Sequence, residues 1–117
     1  MRSIHIVLII VTLLACKRSD TIEESALYGK WDIVKAERNG KETHYLRGGY
    51  FVIGDDGTIA VNITGEEEKG EYILDQQNLQ MDEDKIFSIE SLQNDTLIVK
   101  YLAASNGQFV FYMARGK

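Results

Sequence analysis

Thr58-Ile59-Ala60-Val61-Asn62-Ile63-Thr64 carries the plainest pattern in the chain. Ile59, Val61 and Ile63 fall on alternate positions, and the residues between them are small or polar. That is the period of a strand with one buried face. The same rhythm extends outward in both directions. Trp31 and Ile33 alternate with Lys30 and Asp32, and Tyr50-Phe51-Val52-Ile53 is a short β-rich run. Downstream, Tyr72 and Leu74, then Leu79 and Met81, then Phe87 and Ile89 repeat it. Leu97, Val99 and Tyr101, and finally Phe109, Phe111 and Met113, complete the series.

Turn signals separate these runs. They are Asn39-Gly40, Gly48-Gly49, Gly54-Asp55-Asp56-Gly57, Gly65 to Gly70, Asp75 to Asn78, Asp82 to Asp84, Gln93-Asn94-Asp95 and Asn106-Gly107. Asn-Gly and Asp-Gly accept the positive φ that hairpin turns demand. No stretch of helical length shows a 3.6-residue period, and the turns are too short for crossover connections. Neighbours in sequence are therefore expected to pair antiparallel. The predicted fold is all-β: a small up-and-down (meander) barrel of about eight strands, closed so that no edge is left bare.

The N-terminal segment has a different character. Arg2 precedes an apolar run from Ile4 to Ala15, interrupted by His5 and Thr12, and the run ends at Cys16, the one cysteine of the chain. A basic start, a short apolar run and a small residue before the cut describe a secretory signal. The run is too short to span a bilayer, which takes about 20 residues. Leu13-Leu14-Ala15-Cys16 resembles the bacterial lipobox. That resemblance implies cleavage before Cys16 and acylation of its thiol, giving a signal peptide of residues 1–15, a lipidated Cys16 with a polar tether to residue 26, and a domain over 27–117. More than one acyl chain makes such anchoring stable. Lys17 follows the cysteine where an aspartate would resemble an inner-membrane retention signal. The expected location is the cell envelope, on the outer membrane facing the periplasm.

Composition narrows the function classes. The chain holds 18 acidic against 13 basic residues, a formal charge of −5, and loss of Arg2 would make it one unit more acidic. Nucleic-acid binding needs clustered Lys and Arg, so it is not expected. With Cys16 acylated no disulfide can form, and stability must come from the core. There is no proline.

Tyr28-Gly29-Lys30-Trp31 opens the first strand, and Arg115 closes the last. Gly-x-Trp at that place, about eight strands and a terminal arginine resemble the lipocalin-like domain of small bacterial lipoproteins, over roughly residues 27–115. The resemblance implies that Trp31 plugs the closed end of the barrel and that Arg115 packs across it. Gly29 would let the backbone pass close to a neighbour. The chain is shorter than full lipocalins, and no helix follows Arg115.

Catalytic signals are missing. Apart from His5 in the signal segment, His44 is the one histidine, in an expected loop beside Tyr45, and no nucleophile or phosphate-loop pattern accompanies it. Asp82-Glu83-Asp84 and Glu66-Glu67-Glu68 fit no calcium loop and read as solvated turn charge, and Asp55-Asp56-Gly57 reads as a hairpin turn. Neither an enzyme, a metal nor a cofactor is expected.

Two binding roles remain. A barrel of this size is filled by its own side chains or holds one small ligand. The inward set includes Phe51, Val61, Tyr72, Phe87, Val99, Tyr101, Phe109 and Phe111 as candidate cavity lining. Many are large, so a mostly packed interior is expected, with any apolar or amphipathic ligand near the open end. The alternative is a protein-binding barrel, such as a periplasmic inhibitor of a basic wall-degrading enzyme, with Glu66-Glu67-Glu68 as its anionic contact.

Overall fold

The structure is a computed structural model that describes residues 22–44, 48–82, 85–103 and 107–116. Cys16, the lipobox, Tyr45, Glu83 and Asp84 lie outside the described residues. The strands are β1 (Gly29–Arg38), β2 (Lys41–Thr43), β3 (Tyr50–Ile53), β4 (Thr58–Asn62), β5 (Glu67–Asp75), β6 (Asn78–Met81), β7 (Lys85–Gln93), β8 (Thr96–Ala103) and β9 (Gly107–Arg115). Every pairing is antiparallel. From β3 to β9 each strand pairs with the next, and β1 closes the ring by pairing with both β3 and β9. The result is an eight-stranded meander barrel plus one extra strand. That strand, β2, exists because β3 covers only Gly29–Asp32 of the ten-residue β1. The Asn39-Gly40 turn folds β2 back onto Ala36–Arg38, and both turn residues take positive φ.

Two β-bulges shape the barrel, one in β1 between Ile33 and Lys35 and one in β7 between Ile89 and Ser91. Each changes which residues face inward. In β1 the buried positions are Trp31, Ile33 and Ala36, so the face shifts by one residue after Val34. In β7 they are Phe87 and Ile89, with Leu92 packed beside the core. An extra residue in one strand bends it and tightens its twist, which is what closing so small a barrel requires.

The interior is filled along most of its length. Trp31, Phe51, Phe87, Phe111, Met81 and Val61 are at most 1% exposed. Phe51 meets Phe87 edge-on at 5.0 Å, and Phe87 meets Tyr101 at 4.9 Å. No polar or charged residue among those described is buried. The hydrophobic core is therefore a packed column.

The two ends differ. A 3-10 turn, Glu24–Leu27, lies across the end where β1 begins and β9 finishes, with Leu27 fully buried. Ile22 also packs against the core. Residues 22–26, read from sequence as the end of the tether, are thus built into the domain. The other end, formed by the finish of β1, β4 and β8 and the start of β7 and β9, carries no such cover among the described residues.

Candidate functional site

At the closed end, the indole Nε1–H of Trp31 donates to the Leu27 carbonyl at 2.8 Å. The Arg115 guanidinium stands 4.0 Å from the indole centroid. Its Nη1 donates to Tyr28 O at 2.6 Å and its Nη2 to Ala26 O at 2.8 Å. One cation therefore satisfies one carbonyl of the turn and one of the residue just after it while stacking on the ring beneath. Gly29 makes room for this. Its φ is +119°, and a Cβ there would lie 3.1 Å from Arg115 Nη1. The close neighbour of Gly29 is thus the arginine, not another strand's backbone. Tyr72 adds a further tie: its hydroxyl donates to Glu24 Oε2 at 2.8 Å and lies 3.1 Å from Gly54 O. Burial, with Glu24 adding to it, pushes the phenol well above its ordinary range.

The open end holds a pocket of about 170 Å³ lined by Ile63, Thr64, Lys85, Tyr101, Ala103, Phe109 and Phe111. The three aromatic rings lie nearly parallel, with interplanar angles of 19–26° and centroids 6.0–6.5 Å apart. Lys85 opens β7 on the same face as Phe87 and Ile89, so its stem enters the barrel mouth. Its side chain is only 19% exposed, and its Nζ lies 3.2 Å from Glu68 Oε1. Glu68 sits opposite Val61 on the inner face of β5 and is itself 45% exposed. Arg38, at the end of β1, places its guanidinium 5.9 Å from the Phe109 ring.

The eight residues anticipated as lining thus divide. Tyr101, Phe109 and Phe111 line the pocket. Phe51, Val61, Phe87 and Val99 are fully packed in the column below it, and Tyr72 is turned to the closed end. Sequence reasoning missed Lys85, Thr64 and Ala103. The signal for Lys85 was present: Lys85-Ile86-Phe87-Ser88-Ile89 alternates, and a lysine at the head of the apolar face must enter the mouth with it.

Glu66-Glu67-Glu68 is not the anionic loop anticipated. β5 begins at Glu67, so Glu67 and Glu68 face opposite sides of a strand. Glu67 accepts from the Tyr50 hydroxyl, which holds its carboxyl below the ordinary value, and lies 3.6 Å from Lys69 Nζ. Glu68 faces Lys85. Asp56 accepts from the amide and hydroxyl of Thr58, an Asx turn that lowers its pKa and accounts for Asp55-Asp56-Gly57 locally. Among the described residues no cluster of three or more metal-ligating side chains forms.

Other hollows offer less. One of about 50 Å³ lies beside the β1 bulge next to His44. A broader one of about 490 Å³ is a shallow dish over β3–β5, against Val52, Ala60 and Lys69. Neither gathers aromatic walls around a charge. Compared with protein-family models and with curated proteins, the chain matches none.

Proposed function

We propose that this chain is a lipid-anchored lipoprotein of the cell envelope, on the outer membrane facing the periplasm, whose lipocalin-like barrel binds a small amphipathic molecule at its mouth. The observation that carries the reading is the aromatic pocket at one end of a barrel whose other end is sealed. Tyr101, Phe109 and Phe111 offer flat apolar surface, while Lys85 and Thr64 supply the few polar groups that orient a ligand. The lipobox at Cys16 supports the anchor, and the Gly29-Lys30-Trp31 and Arg115 arrangement supports the lipocalin-like assignment.

The volume limits the ligand. Drug-sized sites run to about 300–1,000 Å³, whereas a dry cavity of about 150 Å³ holds one benzene. A pocket of about 170 Å³ therefore suits a single ring or a short chain. The rival reading as an inhibitor of a basic enzyme has less support: Glu66, Glu67 and Glu68 are exposed, but Glu67 and Glu68 face opposite sides of β5 and form no single anionic loop.

The test is a titration of the full chain, held in lipid nanodiscs, with single-ring compounds followed by amide NMR. Saturable shifts at Ala103, Phe109 and Phe111, with Trp31 and Leu27 unmoved, are expected. Shifts that never saturate, or that spread evenly over the barrel, would remove the ligand-binding role.

A further inference from the structure

We infer that the mouth pocket selects a small carboxylate, with the Lys85 ammonium as the group that donates to it and Glu68 as a built-in stand-in for the ligand's head. The inference rests on the ligand-binding reading above and names the chemical class.

Lys85 is the point of departure. A lysine whose side chain is 19% exposed has most of its stem in the wall of an apolar pocket. Glu68 Oε1 lies 3.2 Å from its Nζ. The two partners are not equivalent. The lysine is held by the wall of β7, while the glutamate is more than twice as exposed and can turn to water at little cost. An incoming carboxylate with a ring or short chain would replace Glu68 at Nζ and lay its apolar part against Tyr101, Phe109 and Phe111. The exchange conserves charge inside the mouth: one carboxylate leaves Nζ and another arrives. A neutral ligand of equal shape would gain the apolar contact alone. A cationic one would face the ammonium and the Arg38 guanidinium at the Phe109 rim. The pocket thus pairs an aromatic floor with a cation on its wall, which is the complement of an aryl or short-chain acid.

Phenylacetate and phenylacetamide test this, being matched in shape and differing in charge. In amide NMR titrations of the full chain in nanodiscs, phenylacetate is expected to bind about fivefold more tightly. Lys85→Met should erase that preference, and amide signals of Trp31 and Leu27 at their unmodified positions show that the variant keeps its fold. Glu68→Gln should widen the preference, because it removes one carboxylate that competes for Nζ. Equal affinities in the unmodified chain, a preference that survives Lys85→Met, or a preference that narrows in Glu68→Gln would each overturn carboxylate selection while leaving the pocket reading standing. Binding of neither compound would instead sink the ligand-binding reading on which this one rests.

Discussion

Trp31 and Arg115 hold the closed end through one another, so their substitutions should differ in kind. Trp31 is fully buried and touches the turn, the column and the guanidinium at once. Trp31→Ala should cost about 3–5 kcal/mol, as deletion of a large core aromatic does, against a total stability of about 5–15 kcal/mol for a domain. Arg115→Lys keeps the charge but cannot stack as a plane and reach two carbonyls together; a loss of about 1–3 kcal/mol is expected. Urea unfolding measures both, and a Trp31→Ala cost below about 1 kcal/mol would remove Trp31 from the base of the barrel. Tyr72 makes the same end sensitive to alkali. Its pKa is raised above 10, so folding favours the protonated phenol. That contribution is complete below about pH 10 and fades as pH rises past it. Tyr72→Phe should therefore be less stable than the unmodified chain at pH 7, with the gap shrinking between pH 10 and 12. A gap that stays constant over that range would mean the phenol does not titrate with folding.

The bulges show where strand-level reading stops. Strict alternation from Trp31 and Ile33 puts Lys35 inside and both Val34 and Ala36 outside, yet Lys35 is exposed with Val34 and Ala36 is 2% exposed. Two aspartate substitutions separate these possibilities. Val34→Asp should shift stability by less than about 0.5 kcal/mol. Ala36→Asp buries a carboxylate with no partner and should cost about 3 kcal/mol or more. Similar costs for the two would mean that β1 runs without its bulge. The strands themselves were legible, because period-two runs and turn residues are local properties of sequence. Closure by β1 with β9 followed from the absence of crossovers and the need to cover edges. A bulge is different, since it answers to curvature, a property of the whole ring that no window of residues carries. The same limit explains the site. Tyr101, Phe109 and Phe111 were visible as apolar positions, but height along the barrel comes from strand stagger. Phe51, Phe87 and Phe111 share one inward pattern, yet in the fold only Phe111 borders the pocket and the other two are packed away from it. Glu66-Glu67-Glu68 failed for a related reason, since a run of like charge looks like a loop until its register with β4 sends alternate residues to opposite faces.

At the scale of the molecule, the position of the turn Glu24–Leu27 fixes which way the barrel faces. Arg115, Trp31 and Tyr72 all bond to this turn or to its flanks, and Ile22 packs beside it, so the chain enters the domain at the sealed end. From Cys16 to Ile22 is six residues, about 20 Å at full stretch. If Cys16 carries lipid, the sealed end is held near the bilayer. The mouth then stands farther off by the height of the barrel, about 20–25 Å for strands of eight to nine residues tilted about 40°. Ligands would reach Lys85 from the aqueous side, in keeping with a pocket sized for a small acid and not for a long acyl chain. Energy transfer to acceptor-labelled lipid headgroups measures this. Donors placed on Glu23→Cys at the sealed end and on Leu102→Cys near the mouth can be compared in the full chain on vesicles, where the proposed acylation of Cys16 would leave each introduced thiol the only one. Stronger transfer from position 23 is expected. Equal transfer, or stronger transfer from position 102, would put the mouth against the membrane and make bilayer lipid the natural source of its ligand.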